Sequence, residues 1–323
     1  MDAGTAPWVA KPPDLEPFEA GHDGVPYVLS FAAPAAGPHV VLSAITHGNE
    51  LCGAVALTRL LDCGVRPVRG RLTCAFVNVD AYQRFDQTDP FAARYLDEDM
   101  NRVWSCATLD RPARSREHAR AKVLRPVIAQ ADYLLDLHST SMASAPMLLC
   151  GPTKKGRALA LRLALPAEIV ADEGHLAGPR LSDYDAFADE ARAPTALLIE
   201  CGQHFEPSSA EVALEAALRF LLHTGVIDRV PPNLKPPRNV AATRVLEVTD
   251  RITVRTPAFT FVRPLGSLEV VGKAGTLLAH DGGESIVTPY ESCVLIMPAR
   301  SIVPGETALR LARAVPAAPG HRV

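Results

Sequence analysis

No basic excess is present in this chain of 323 residues: 33 Lys and Arg stand against 36 Asp and Glu, a formal charge of −3. Surfaces that grip nucleic acid or an anionic membrane carry surplus positive charge, so neither is expected as a partner. No stretch approaches the roughly 18 uninterrupted apolar residues of a membrane span. The N-terminal MDAGTAPWVAKPPDLEP also lacks a positively charged start followed by an apolar run. The expectation is a soluble, cytoplasmic protein. CxxC pairs are absent as well. Seven cysteines (Cys52, Cys63, Cys74, Cys106, Cys150, Cys201 and Cys293) are odd in number and scattered, which argues against a disulfide framework or a cysteine-rich zinc site. Reduced, mostly buried thiols are the simpler reading.

What the chain does have is an apolar share of 48% with 21% charged residues, enough for a packed core. From about 39 to 223, β-branched apolar runs alternate with amphipathic stretches, the pattern of an α/β fold whose mostly parallel or mixed sheet is flanked by helices. Strands are expected at 39–46, 71–79, 133–138, 147–150, 168–172 and 195–201, and their near-continuous apolarity predicts burial on both faces. Helices are expected at 50–62, 115–130, 154–164 and 208–222, with Gly64 and Gly225 closing the first and last. The polar stretch from Asp80 to Arg102 is too long for a simple connection and reads as a functional loop. VPPNLKPP at 230–237 reads as a stiff linker between a catalytic domain, 1–229, and a smaller β-rich domain, 238–323. Within the latter, short alternating segments end near 300, and the Ala- and Pro-rich tail beyond them is expected to be loosely held.

Three clusters carry chemistry. ITHGNEL places His47 and Glu50 three apart where a strand turns into a helix, and both residue types are ordinary zinc ligands. A His and a Glu three apart also occur on solvated helix faces, and two ligands leave a tetrahedral ion short. His138, at the end of the strand in LLDLHST, is the natural third, because open α/β sheets build their sites at the C-terminal strand edge. Asp136 shares a strand face with His138 and can orient it, or serve the sheet end structurally. Glu200 follows the apolar run TALLI, where a carboxylate is costly unless it faces a cleft; the alternative is a capping or salt-bridged glutamate. In RYLDEDMNR, Arg94, Asn101 and Arg102 could hold an anion, or the loop could be plain solvated surface. His204 is close enough to Glu200 to line the pocket. His22, His39, His118, His175, His223 and His280 read as surface or capping residues, and Trp104 as packing.

Together THGNE (46–50), RYLDEDMNR (94–102), DLHST (136–140) and IECG (199–202) resemble the succinylglutamate desuccinylase/aspartoacylase family of zinc carboxypeptidase-like hydrolases, over roughly residues 39–225. The resemblance implies one Zn2+ per chain held by His47, Glu50 and His138, with Glu200 as the catalytic carboxylate and Arg94 polarising the scissile carbonyl. It further implies that Asn101 and Arg102 hold the substrate's α-carboxylate, and that Tyr290 in TPYES reaches the pocket from the second domain. Arg192 lies near the place of an aspartoacylase carboxylate reader, two residues out of step. The implied activity is removal of a small acyl group from an N-acyl amino acid, by a chain that could form homo-oligomers. A carboxypeptidase-like peptidase and a non-catalytic binding protein on the same scaffold are the competing readings.

Overall fold

The computed structural model describes residues 11–165, 168–238 and 244–316. Strands β1 (Val28–Ala32), β2 (His39–Ala44), β3 (Arg71–Phe76), β4 (Tyr133–Thr140), β5 (Met147–Leu149), β6 (Glu168–Ala171) and β7 (Thr195–Gln203) alternate with helices. These are α1 (Leu51–Asp62), α2 (Val79–Tyr82), α3 (Cys106–Leu109), α4 (Arg116–Ile128), α5 (Lys154–Leu163) and α6 (Pro207–Thr224). The C-terminal part adds β8 (Val245–Thr253), β9 (Thr260–Phe261), β10 (Val270–Val271), β11 (Leu277–Asp281), β12 (Glu284–Val287), β13 (Cys293–Ile296) and β14 (Thr307–Val315). The fold is a mixed α/β sheet flanked by helices, followed by a β-rich region.

Eleven strands form one sheet in the order β1-β3-β2-β4-β7-β5-β6-β8-β14-β13-β10. Its centre, β3, β2, β4 and β7, is parallel, so the C-terminal ends of β2, β4 and β7 share one edge. Side chains alternate across it. Leu135, Leu137, Leu197 and Ile199 pack with α1, α5 and α6, whereas Leu134 and Ala196 pack with α4 and Trp104 on the other face. Asp136 and His138 share the parity of Leu134, and Glu200 that of Ala196, which sends all three to the α4 side at the strand ends.

Two departures from expectation concern the C-terminal part. Its first and last strands continue the main sheet: β8 pairs in parallel with β6, and β14 pairs antiparallel with β8. Among the described residues, only β12-β11-β9 form a sheet of their own. Within the tail expected to be loose, the described part is not: Thr307–Val315 is a nine-residue strand whose residues Ala308 to Ala312 are all buried. Alanines between leucines give that segment little β-propensity, and tertiary burial decides it. Residues 239–243 and 317–323 of the β-rich domain expected at 238–323 lie outside the described residues.

Candidate active site

Each element delivers its group for a local reason. Past β2, Ile45 takes a positive φ of 54°, a costly conformation for a β-branched residue that turns the chain sharply toward His47. Gly48 then packs against the backbone of α2 and of the Arg94 loop, and donates its N–H to the Arg94 carbonyl. A Cβ there would sit 2.4 Å from Ala81 C and 2.5 Å from Ala93 O. Gly48→Ala is therefore expected to cost about 1–3 kcal/mol and to displace the Arg94 loop. Urea denaturation checks it, and an unchanged midpoint would contradict the close approach. Glu50 occupies the N-cap of α1, where the helix dipole favours a carboxylate. His138 and Glu200 lie directly opposite each other on β4 and β7, and beyond them the register shifts where Gly202 takes a φ of 113°.

The three sequence-predicted ligands converge. His47, Glu50 and His138 are buried, with one ligand atom from each lying within 4.8 Å of the others. Glu50 Oε1 is 2.7 Å from His47 Nδ1, and Glu50 Oε2 is 2.8 Å from His138 Nδ1. Each imidazole has a second carboxylate on its far nitrogen: Asp136 Oδ2 at 2.6 Å from His138 Nε2, and Asp99 Oδ1 at 3.0 Å from His47 Nε2. At His138, an Nε2–H donated to Asp136 leaves the Nδ1 lone pair pointing into the cluster, the tautomer a cation needs; His47 Nε2 faces Arg94 Nη2 at 3.0 Å as well as Asp99. Donor types and backing carboxylates both fit a divalent metal such as zinc. Asp136 is held in turn by Ser43 Oγ and Thr46 Oγ1 at 2.7 and 3.0 Å. Asp136→Ala should weaken metal binding about 10- to 100-fold. Competition against a chromogenic chelator measures this, and wild-type affinity would show that Asp136 serves only the sheet.

Glu200 opens onto the same cavity, and its Oε2 has no hydrogen-bond partner among the described residues. Burial, reinforced by the negative Glu50, pushes its carboxyl up to about 8. Arg94 reaches Asp99 at 3.2 Å and Glu50 at 3.4 Å while its guanidinium stays partly exposed to the cavity. Asn101 accepts the Leu181 N–H on Oδ1 at 2.8 Å, which leaves its NH2 group for a ligand. Arg102 lines the cavity beside it and donates to the Asn101 carbonyl. His204 also lines the cavity, with Nδ1 at 2.8 Å from Ser139 Oγ. The cavity encloses about 190 Å³.

Two sequence candidates lie elsewhere. Tyr290 is absent from the cavity wall: its hydroxyl bonds Thr249, its ring lies under Arg313, and it packs against the β-rich core. Arg192 is an exposed side chain paired with Asp185 at 2.9 Å. Others were not foreseen. Asp99, inside a motif already singled out, backs His47 and caps the turn that carries Asn101. His175, expected at the surface, and Arg310 of β14 form the far wall together with Arg180. Trp104 is wholly buried against Tyr184, as packing requires.

The succinylglutamate desuccinylase/aspartoacylase catalytic domain matches this sequence over residues 36–224. The chain belongs to that family. Its members are deacylating hydrolases that act on N-acyl amino acids. Solved family structures share the fold at low identity. The succinylglutamate desuccinylase of Vibrio cholerae is 20% identical with a TM-score of 0.69, covering 91% of this chain and 89% of its own. The Vibrio parahaemolyticus enzyme is 17% identical, also at 0.69, covering 90% and 87%. A product-bound ectoine utilization protein, EutE (DoeB), from Ruegeria pomeroyi is 19% identical at 0.59, covering 88% and 87%. Comparison with curated proteins finds no match. Among the described residues, no helix is long and apolar enough to cross a membrane.

Proposed function

We propose that this family member is a zinc-dependent amidohydrolase that removes a small acyl group from an N-acyl amino acid in the cytoplasm. The observation that carries the reading is the His47–Glu50–His138 cluster opening on one cavity with the unpartnered oxygen of Glu200. His47, Glu50 and His138 would hold the ion. A zinc ion in such a setting supplies Lewis acidity, making water acidic enough to lose a proton near neutrality. Glu200 takes that proton as water attacks the amide carbonyl and returns it to the leaving amine. Arg94 directs its guanidinium at the oxygen that gains charge, a role in which fixed donors contribute strongly. The Asn101 NH2 group and Arg102 hold the α-carboxylate, fixing the amide near Glu200.

The peptidase alternative is disfavoured by the cavity's far side. Ser267, Met297, Pro298, Thr307 and Arg310 from the C-terminal part line it, and its volume of about 190 Å³ suits a small molecule. The binding-protein alternative is disfavoured because His47, Glu50, His138 and Glu200 all border one cavity. The test is hydrolysis of a panel of N-acetyl and N-succinyl amino acids and of dipeptides by the zinc-loaded protein. Turnover of acylated amino acids with inert dipeptides is expected, and the converse result would establish the peptidase.

A further inference from the structure

Four arginines border the cavity, and they differ in how fully their charge is met. Arg94 is paired with Asp99 and Glu50. Arg180 is saturated, donating twice to Asp172 and twice through side-chain nitrogens to Asp183. Arg102 approaches a carboxylate only at 3.6 Å, from Asp99. Arg310 is the most isolated. Its side chain is 4% exposed, its sole carboxylate neighbour within ion-pair reach among the described residues is Asp172 at 3.6 Å, and Asp172 is already engaged by Arg180. Its remaining contact is the His175 ring, 3.0 Å from Nη2. That ring is held neutral by its own burial and by Arg102, Arg310 and Arg180 around it, so it returns no negative charge. The imbalance registers on the guanidinium itself: burial, with Arg180, Arg102 and Arg251 nearby, draws Arg310 down to about 10 despite Asp172. A buried, under-neutralised cation facing a solvent cavity is stabilised by an incoming anion, and a guanidinium fork suits a carboxylate.

We infer that Arg310, on β14, is a specificity-determining residue that binds a second carboxylate of the substrate, distinct from the α-carboxylate held by Asn101 and Arg102. The inference rests on the deacylase reading for its choice of substrates. The second carboxylate has two possible sources, the amino acid's side chain or the far end of a dicarboxylic acyl group. Arg310 belongs to the C-terminal strand, so that strand does more than close the cavity.

The test compares wild type with Arg310→Met, which keeps the apolar stem, and Arg310→Lys, which keeps the charge and loses the fork. Asp172 retains its two bonds to Arg180 in both, so folding is expected to survive, as thermal melts and zinc content would verify. Wild type should hydrolyse N-acetyl-L-aspartate, N-acetyl-L-glutamate or N-succinyl-L-alanine with a kcat/KM about 100-fold or more above N-acetyl-L-alanine. Preference for the first two assigns the side chain, and preference for the third the acyl group. In Arg310→Met the ratio should collapse to near unity, with Arg310→Lys between. A ratio preserved in Arg310→Met, or no preference in wild type, would overturn the assignment. Calorimetric titration with aspartate, glutamate and succinate, against alanine and acetate, separates this from failure of the deacylase reading. Dicarboxylate binding that Arg310→Met loses supports the role of Arg310 even if nothing on the panel is hydrolysed. Equal or absent binding in both proteins overturns it.

Discussion

Glu200→Gln is expected to lower kcat/KM by about 10³-fold or more while the zinc content stays at the wild-type level. Glutamine keeps the shape of the side chain and cannot accept the proton of the attacking water. Glu200 is not part of the ligand cluster, so metal affinity has no reason to follow activity. The pH dependence has a definite sign. Burial and the charge of Glu50 raise the Glu200 carboxyl from 4.5 to about 8, and a cation on Glu50 pulls it back down. Only the ionised form is a base, so wild-type kcat/KM should rise with pH along a limb whose midpoint lies between those values. In the variant that limb should vanish. Steady-state kinetics across pH, with metal analysis of the same preparations, measures all three. Wild-type turnover in the variant would remove Glu200 from the chemistry.

His138→Ala is expected to abolish both metal retention and hydrolysis. Two ligands cannot close a tetrahedral site, and the imidazole is also what separates two buried carboxylates, Asp136 at 2.6 Å and Glu50 at 2.8 Å. Removing it takes one partner from each, while Glu50 keeps His47 and Asp136 keeps Ser43 and Thr46, at a cost of about 1–3 kcal/mol in stability. The ordinary result of trimming a side chain in mid-strand would be smaller and confined to packing. Zinc analysis after dialysis and a urea titration separate the two. A variant that holds one zinc per chain would mean that another group completes the site.

The parts of the site that were legible in sequence are those whose position follows from where a strand ends. HGNE and DLHS each sit just beyond, or on, an apolar run, and parallel packing of neighbouring strands brings such ends together, so His47, Glu50, His138 and Glu200 could be assembled from spacing and edge geometry. Asp136 followed from side-chain alternation along β4. What stayed hidden depends on contacts between distant segments. Arg310 is far along the chain from every motif, on an Ala-rich strand that reads as a tail until β8 pairs with it. His175 is unremarkable in a polar loop; only Arg310 and the cavity give it a role. Tyr290 and Arg192 lie away from the cavity for the opposite reason. Each was placed by analogy along the chain, while Thr249 and Arg313 hold the first in the β-rich part and Asp185 holds the second at the surface. The continuous sheet was likewise invisible, because a proline-rich stretch looks like a boundary whether or not strands pair across it.

The central claim, that a single zinc ion held by two histidines and a glutamate drives amide hydrolysis here, is tested most directly by titrating zinc into chelator-stripped protein while following release of amine from the best N-acyl amino acid substrate. Activity should be absent at the start and climb linearly to a plateau at one equivalent per chain. Full activity in the stripped protein, or a plateau at two equivalents, would contradict it.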